Sequence, residues 1–410
     1  MLLNASLNHL SRIAAVALMA QWAAAFGVQA QEVRIGALIP LSGGLQGYGE
    51  TSLQGVRLAV EEANAAGGML GSKVRVIVGN TMTSAQPAVE AAQRLVSVER
   101  VHGVVGALSS GSTIPVAQSV TSVNRIPQIS NASTAPAIST LKDDGYLFRT
   151  TPSDAFQGVA LARIARKQGV ESVAVLYVNN DYGQGLAESF QASFTAAGGK
   201  VTGSAAFAPN QAAYRGELSK LASGDAQALV LIAYPDDGGI TIMRQSLEEG
   251  LFEKFILTDG MKSEAMIKQL GAEHLEGFYG SSARSTEGKA SDLFREIYRK
   301  RHGQMPPHPY IDSAYDATMI LMLAMEKAKS TDGPAIRDAI REVSNGPGEE
   351  IRPGEFARAK ELIAAGKDIN YQGAAGNHEF DDNGDVSGTF EHWAIKNGKI
   401  VTVDVFDPGS

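Results

Sequence analysis

Apolar segments alternate with amphipathic segments along most of this chain. Short apolar runs bounded by glycine or proline are typical of buried strands, and they are followed by segments with apolar residues every three or four positions, which are typical of helices. In the first part of the chain the predicted strands are 33–40, 73–78 and 101–108, and the predicted helices are 53–66, 87–98 and 114–123. Repeated strand–helix units of this length predict a parallel sheet covered by helices, with ligands at the carboxyl ends of its strands.

The stretch 145–152 interrupts this alternation, and a second series follows it. Its predicted helices are 156–167, 185–197, 215–221 and 240–249, and its predicted strands are 172–177, 200–207, 226–233 and 255–258. The segments 292–301, 312–329 and 334–343 are helical without new strands, so we expect them to cover the first sheet. A polar insert at 346–376 with one helix at 353–365 precedes a β-hairpin, 390–396 with 399–405, which turns at Asn397-Gly398.

The pattern therefore predicts an α/β fold of two doubly wound parallel-sheet lobes joined by several chain crossings. We expect lobe 1 to comprise residues 31–149 and 283–386, and lobe 2 to comprise residues 150–282 and 387–410. Two lobes joined in this way can close on a ligand between them.

The first 30 residues have the pattern of a Sec-type signal peptide. Arg12 precedes an apolar run that is too short to span a bilayer, and Val28-Gln29-Ala30 is a small-residue cleavage site. We therefore predict an exported, periplasmic protein. An N-terminal membrane anchor is the alternative interpretation.

The composition of the chain restricts the kinds of partner that it can bind and the interactions that can stabilise its fold. The chain has 410 residues, a net charge of −8 and no cysteine. An acidic balance argues against nucleic acid or an anionic membrane surface as the partner. An exported chain without disulfides must rely on its apolar core, which suits a large two-lobe α/β protein.

Two serine-rich turns are the candidate binding elements. Ser109-Ser110-Gly111-Ser112-Thr113 lies between a predicted strand and a predicted helix, and Asn131-Ala132-Ser133-Thr134 follows the next strand. Hydroxyl donors, backbone N–H groups and the positive end of the helix dipole would converge at such turns, which favours a carboxylate or phosphate ligand. Helix capping is the alternative role for these hydroxyl groups.

Signals for an enzyme, a metal site or a nucleotide cofactor are weak. The Ser110 turn lacks the leading glycine of a nucleophile elbow. The stretch Asp381–Asp385 differs from a calcium loop because Val386 and His392 occupy the positions of the glycine and the closing glutamate. No glycine-rich phosphate motif follows the first strand. We predict a protein that is not an enzyme and that has no cofactor or metal.

The order and spacing of several motifs resemble the periplasmic leucine/isoleucine/valine-binding protein family, the type I substrate-binding proteins of ABC importers. The resemblance covers nearly all of the chain after the leader. The motifs are Ile35-Gly-Ala-Leu-Ile-Pro-Leu-Ser-Gly-Gly44, Gly47-Tyr-Gly49, Val105-Gly-Ala-Leu-Ser-Ser-Gly-Ser-Thr113, Pro127-Gln-Ile-Ser130, Asn180-Asp-Tyr-Gly-Gln-Gly185 and Phe380-Asp-Asp-Asn-Gly-Asp-Val386.

This resemblance implies an α-amino acid ligand held between the lobes. Ser110 and the Ala132-Ser133-Thr134 segment match the positions that bind the ligand carboxylate. Asp259 matches the acidic residue that binds the ammonium group, where the family often has the longer glutamate. Tyr48, Tyr182 and Tyr234 match the aromatic residues that close on the ligand, and we expect all three to lie in turns rather than on helix faces.

The sequence thus favours a monomeric solute-binding protein that delivers a small amino acid, branched-chain or similar, to a membrane ABC permease by hinge closure. Two alternatives stay open. One is a periplasmic ligand sensor with the same fold, and the other is a binding protein for an amide, a urea-like compound or an aromatic acid.

Overall fold

A computed structural model describes residues 32–306 and 308–407 of the chain. The predicted signal peptide, residues 1–30, lies outside the described residues. Two large β-sheets organise the described chain, and helices pack on both of them.

The first sheet has five parallel strands in the order β2-β1-β3-β4-β5. These strands are β1 (Val33–Ile39), β2 (Val74–Asn80), β3 (Gly103–Gly106), β4 (Gln128–Ser130) and β5 (Leu147–Arg149). The chain moves from β1 to β2 on one side of β1 and then returns to add β3, β4 and β5 on the other side. The loops that follow β1 and β3 therefore diverge and leave a crevice at the carboxyl ends of these strands.

Helices from two separate parts of the chain cover this sheet. They are α1 (Gln46–Ala65), α2 (Ala85–Gln93) and α3 (Ser110–Val116), followed much later by α10 (Lys289–His302), α11 (Ile311–Ala328) and α12 (Gly333–Ser344). α11 is buried over most of its length and packs against α1 in the core of the first lobe. Its two turns of almost continuous apolar sequence, 317–325, explain this burial, because a helix that is apolar on all faces needs neighbours on all faces.

The second sheet has seven strands in the order β14-β13-β10-β9-β8-β6-β7. The strands are β6 (Ser172–Val178), β7 (Lys200–Phe207), β8 (Ala228–Ile232), β9 (Phe255–Leu257), β10 (Tyr279–Arg284), β13 (Thr389–Lys396) and β14 (Lys399–Phe406). The first five are parallel, and β13 and β14 form an antiparallel hairpin. Asn397 and Gly398 both have positive φ, 51° and 69°, as a type I′ hairpin turn requires.

The helices around this second sheet come mainly from the middle of the chain. They are α4 (Asp154–Lys167), α5 (Asp181–Ala196), α6 (Arg215–Ala222), α7 (Ile240–Glu249), α8 (Glu264–Leu270) and α9 (Ala272–Leu275). Strand order reverses here between β6 and β8, so this lobe also has a crevice at the carboxyl ends of its strands. The chain crosses between the sheets after β5, after β10 and before β13. Strand β10 continues to Arg284, two residues beyond the predicted end of the lobe 2 segment.

The segment 346–376 is more ordered than its polar sequence indicates. It forms a parallel pair of short strands, β11 (Glu349–Ile351) and β12 (Ile369–Tyr371), connected by α13 (Phe356–Ala364). The side chains of Phe356 and Tyr371 are fully buried in the core of the first lobe. The segment is therefore part of that core rather than an appendage on its surface.

Candidate functional site

The crevices of the two lobes face each other and enclose a small cavity. It lies between the carboxyl ends of the two sheets. Its lining residues are Leu45, Tyr48, Leu108, Ser109, Ser110, Ala132, Tyr182, Tyr234, Asp259, Gly260 and Tyr310. Six of the eight predicted site residues are in this lining, although they are spread over more than 200 positions of the sequence.

The first-lobe wall carries Ser110 at the start of α3. Its hydroxyl oxygen accepts a hydrogen bond from the backbone N–H of Ala135 at 3.1 Å. Because a hydroxyl group has one proton, this contact leaves the Ser110 proton available for an acceptor in the cavity. The backbone N–H groups of Ser110 and Gly111 belong to the first turn of α3, where N–H groups lack acceptors within the helix, whereas those of Ser112 and Thr113 donate to the carbonyl oxygen of Ser109. This wall is therefore suited to an anionic group.

Ser133 and Thr134 lie in the predicted turn after β4 but are outside the cavity lining. Ser133 Oγ is 2.7 Å from Thr113 Oγ1, which links the two serine-rich turns on the neighbouring strands β3 and β4. Thr134 Oγ1 donates to Asp154 Oδ2 at 2.8 Å. Both hydroxyl groups are thus engaged within the protein and support the cavity wall from behind.

The second-lobe wall carries Asp259, which directly follows β9 and Thr258. Its carboxylate accepts hydrogen bonds from three side chains. The hydroxyl of Tyr182 and the amide of Gln157 donate to Oδ1 at 2.8 and 2.9 Å, and the hydroxyl of Tyr310 donates to Oδ2 at 2.9 Å. Burial raises the pKa of the Asp259 carboxyl group above its ordinary value, and these donors offset part of that increase.

Tyrosines form most of the remaining wall. The rings of Tyr182 and Tyr234 are stacked, with centroids 5.3 Å apart and planes 13° apart. Burial, together with the negative charge of Asp259, raises the pKa of both hydroxyl groups well above the ordinary value. Both hydroxyl groups therefore stay neutral, and that of Tyr182 donates to the carboxylate of Asp259.

Tyr48 connects the two lobes directly. Its hydroxyl lies 3.2, 3.1 and 3.1 Å from the backbone carbonyl oxygens of Asp259, Gly260 and Lys262. A first-lobe side chain thus donates its proton to a second-lobe turn, which is possible because the lobes are close together in this structure.

The expectation that the three tyrosines lie in turns is wrong for two of them. Tyr48 lies in the first turn of α1, and Tyr182 lies in the first turn of α5. Glycines next to these tyrosines suggested turns, but they are required for close packing. A Cβ atom on Gly49 would clash with the carbonyl oxygen of Pro40, and one on Gly183 would clash with that of Val178.

Three residues of the site have no assignment from the sequence. Tyr310 immediately precedes α11, whereas Gln157 and Asp154 lie in the first turn of α4. Asp154 has the ordinary position of an acidic residue at a helix N-terminus, and Gln157 has no motif. A signal for Tyr310 was available, because it is an aromatic residue between a proline-rich loop and a buried helix.

The acidic stretch near residue 381 has a structural role. Asp381 Oδ1 accepts the backbone N–H groups of Asn383 and Asp385, and Asp385 forms a two-pronged ion pair with the buried Arg149 at 2.7 and 2.9 Å. Among residues 32–306 and 308–407, no group of three or more His, Cys, Asp or Glu side chains is arranged to hold a metal ion. In the same part of the chain, no helix has the length and apolarity needed to cross a membrane.

Comparison with known proteins identifies the family. The model of the periplasmic binding protein family matches residues 32–374, which is most of the chain. The chain belongs to the periplasmic binding protein family.

Relatives and solved structures specify the type of periplasmic binding protein. The chain is 27% identical over 335 residues to the leucine-, isoleucine-, valine-, threonine- and alanine-binding protein of Pseudomonas aeruginosa, covering 82% of this chain and 88% of the relative. It is 27% identical over 356 residues to the chemotactic signal transduction substrate-binding protein BasB of Halobacterium salinarum, covering 85% and 83%. The crystal structure of the leucine-binding protein LivK of Thermotoga maritima has a TM-score of 0.78 at 25% identity and covers 92% and 99% of the two chains.

These matches confirm the predicted family and fold class. This periplasmic binding protein is of the leucine/isoleucine/valine-binding type, and its two α/β lobes are those of type I members. Proteins of this family bind substrates without converting them. Proteins with the same fold bind different compounds. One example is a solute-binding protein of Rhodopseudomonas palustris, whose structure contains 3,4-dihydroxybenzoic acid and matches with a TM-score of 0.72 at 18% identity.

Proposed function

We propose that this protein binds a small α-amino acid, branched-chain or similar, between its lobes and delivers it to a membrane ABC permease. The observation that carries the proposal is the placement of Ser110 and Asp259 in the lining of one cavity. The first offers a proton to an anion, and the second offers a negative charge to a cation. A zwitterionic amino acid has both groups on one carbon atom.

The rest of the cavity supports a ligand with a small apolar side chain. Leu45, Leu108 and the ring faces of the tyrosines supply apolar surface around the polar groups. The small size of the cavity favours a compact ligand. The Pseudomonas and Thermotoga relatives are named for binding leucine and, in the first case, other small amino acids, which agrees with this size and polarity.

Binding proceeds in this proposal by closure of the two lobes. We place the first lobe at residues 31–149 and 283–386, and the second at residues 150–282 and 387–410. The carboxylate docks first on the Ser110 turn, and closure then brings Asp259 to the ammonium group. Hydrogen bonds to charged groups contribute about 1.5–3 kcal/mol each. Three or four of them would supply much of the roughly 8 kcal/mol that micromolar affinity requires.

Closure also creates a surface that a permease can recognise. The Tyr48 contacts with the second lobe form when the two lobes approach each other. A ligand that binds both walls favours this closed arrangement, so the permease can distinguish loaded from empty protein. With the predicted signal peptide removed, the protein would act as a periplasmic monomer.

The test is a thermal-shift screen of refolded, ligand-free protein with the twenty amino acids, simple amides, ureas and aromatic acids. At 100 times its Kd a ligand adds about 2.7 kcal/mol to the free energy of unfolding, which raises Tm by about 2–4 °C or more in a large protein. We expect shifts with leucine, isoleucine, valine or similar residues. Shifts produced solely by ligands without an ammonium group would overturn the amino acid assignment.

The same screen bears on a sensor function. The Halobacterium relative is named as the substrate-binding protein of a chemotactic signal transduction system, so a binding protein of this type can serve signalling. Co-purification of the loaded protein from membranes of its own organism distinguishes the two partners. Recovery of a receptor instead of an ABC permease would replace the transport role and leave the binding role unchanged.

A further inference from the structure

Asp154 is a second fully buried carboxylate close to the candidate ligand site. It is the first residue of α4, but it does not cap that helix. Ser153 performs this role, because its hydroxyl accepts the backbone N–H of Ala155 at 3.2 Å. The Asp154 side chain instead points to Thr134, whose hydroxyl donates to Oδ2, and the backbone N–H of Asp154 donates to the carbonyl of Thr134 at 2.7 Å.

The two buried carboxylates have unequal sets of donors. Asp259 accepts three side-chain hydrogen bonds, whereas Asp154 accepts one, on Oδ2. The buried Oδ1 of Asp154 has no hydrogen-bond partner among the described residues, and neither has the buried Oε1 of Gln157. Residues 154 and 157 are one helical turn apart on the same face of α4. An ionised Asp154 would thus leave two buried acceptor oxygens on one face of α4 without a donor.

A proton on Asp154 Oδ1 removes the buried charge and leaves one orphan acceptor, the Gln157 Oε1, in place of two. The charged and titratable groups around Asp154 favour the same state. Asp259 adds a negative charge from the end of β9, and Tyr182, Tyr234 and Tyr310 are neutral hydroxyl groups from three other elements.

Arg149 is the cation that acts on Asp154, but it already forms an ion pair with Asp385. Arg149, at the end of β5, is bound to Asp385 by two hydrogen bonds. Burial, and then the charge of Asp259, raise the pKa of Asp154 well above its ordinary value, while the Thr134 hydroxyl and Arg149 offset part of the increase. Asp259 has more donors than Asp154, so Asp259 is the carboxylate that ionises first.

We propose that Asp154 holds a proton while no cation occupies the cleft, and that it releases this proton to solvent when a ligand ammonium group binds to Asp259. The O–H bond of Asp154 breaks and its proton passes to water or buffer, while the ammonium group keeps its own protons. The ligand thereby supplies the positive charge that allows both carboxylates to be ionised. This inference rests on the proposed function, since it requires a cationic group on the ligand.

Asp154 is in this role a positioning residue that determines specificity for charge. An amino acid binds more tightly as pH rises toward the pKa of Asp154 in the empty protein, because fewer protons then compete with the ammonium group. The matched acid without an amino group supplies no cation and gains nothing from the increase in pH. Leucine and 4-methylpentanoate are such a pair.

Calorimetry with L-leucine at pH 6.5, in phosphate and in imidazole buffer, measures the protons released on binding. We expect the wild type to release up to about one proton per leucine, and the isosteric Asp154→Asn variant to release close to none. Asp312→Asn is the matched control, because burial also raises the pKa of the Asp312 carboxyl group, but its partner is Ser285 outside the cavity. Leucine binding without proton release in the wild type overturns the inference.

A second measurement needs no ligand. A carboxyl group whose pKa is raised by folding stabilises the protein fully below its ordinary pKa, and this stabilisation is lost as pH rises through the raised value. The asparagine side chain in the Asp154→Asn variant mimics the protonated form at every pH. The Tm of this variant minus that of the wild type should therefore increase between pH 4 and pH 8. A constant difference overturns the inference.

The two measurements separate the inference from the proposed function. If no amino acid binds, the proposed function fails, and the Tm series still decides whether Asp154 carries a proton. If leucine binds and the Tm difference is constant, the proposed function stands and the role of Asp154 is rejected.

Discussion

The two walls of the cavity differ in the kind of charged ligand group that they can stabilise. The first-lobe wall presents neutral donors, the Ser110 hydroxyl and the first turn of α3, whereas the second-lobe wall presents the negative charge of Asp259. Fixed dipoles suffice to stabilise a buried anion, because the protein backbone supplies many N–H donors at helix ends. A buried cation requires a counter-charge, which must itself be stabilised while the cleft is empty.

The side chains around Asp259 perform that stabilisation. Tyr182, Tyr310 and Gln157 donate hydrogen bonds to its carboxylate, as water does in solution. The comparison indicates that Asp259 depends on a few specific side chains, Gln157 and Tyr182 from its own lobe and Tyr310 from the first lobe, whereas the Ser110 turn combines one hydroxyl group with backbone N–H groups of a helix start. Loss of the Asp259 charge should therefore weaken ligand binding more than loss of the Ser110 hydroxyl group.

The largest effect is expected for Asp259→Ala. Truncating one partner of a buried charge pair costs about 2–5 kcal/mol, or about 30-fold to several thousandfold in Kd, because the other charge is left unpaired. Calorimetry with leucine measures the loss. Asp236→Ala is the matched control, since Asp236 is an exposed carboxylate in the same lobe.

The affinity loss in Tyr48→Ala is a second comparison for the loss in Asp259→Ala. It removes a neutral hydroxyl group and a ring but leaves no buried charge unpaired. We expect it to cost less affinity than Asp259→Ala, and equal losses in the two variants would contradict the assignment of Asp259 to the ammonium group.

A smaller effect is expected for Ser110→Ala on the first-lobe wall. It removes one donor to the ligand carboxylate, worth about 1.5 kcal/mol or more, so Kd should rise about tenfold or somewhat more. The loss should be much smaller with leucinamide, which has no carboxylate, whereas Asp259→Ala should weaken binding of both ligands.

Ser112→Ala is the control for the first-lobe wall. Its hydroxyl accepts from Ser109 Oγ at 2.9 Å in the same helical turn and lies outside the cavity lining. We expect its affinity for leucine to be that of the wild type. A tenfold loss in this control would show that any change in the turn, rather than the Ser110 donor, weakens binding.

The sequence predicted cavity residues that follow strands, but it did not predict the residues that contact Asp259 from distant parts of the chain. Ser110 and Asp259 come just after the ends of β3 and β9, so a local strand signal was enough to place them. Gln157 and Tyr310 contact Asp259 from 102 and 51 residues away. Such contacts depend on how helices pack across the lobes, which periodicity in one sequence does not specify.

Helix starts were misplaced for a related reason. The structure begins α1 at Gln46, seven residues before the predicted start at Leu53, and α3 at Ser110, four before Ile114. Gly47 and Gly49 are poor helix formers, so their effect on local propensity hid the first two turns of α1. Close contact with Pro40 requires glycine at position 49, and tertiary packing thus overrides propensity at the point where α1 meets the site.

Tyr310→Phe tests whether the donors around Asp259 matter individually. The change keeps the ring and removes a hydrogen bond of 2.9 Å between Tyr310 of the first lobe and the Asp259 carboxylate of the second. Because closure of the lobes forms this bond, its loss predicts about a tenfold increase in the Kd for leucine. Tyr315→Phe is the control, because the Tyr315 hydroxyl donates to Glu62 in the core of the first lobe. Equal affinities of Tyr310→Phe and the wild type would show that this hydrogen bond contributes equally to the empty and the loaded protein, and tighter binding by the variant would show that the ligand ammonium group replaces this donor.

The smallest effect is expected for Tyr48→Phe, which separates closure from ligand contact. The Tyr48 hydroxyl shares one proton among three carbonyl groups of the opposite lobe, and a neutral hydrogen bond contributes about 0.5–1.5 kcal/mol. Its loss lowers the population of the closed state, so the apparent Kd should rise about threefold, mainly through faster dissociation. Stopped-flow measurements with leucine give both rate constants, and Tyr146→Phe, which changes a first-lobe tyrosine packed against Arg337, serves as the control. A slower association with unchanged dissociation would mean that Tyr48 guides the ligand into the open cleft instead of holding the lobes together.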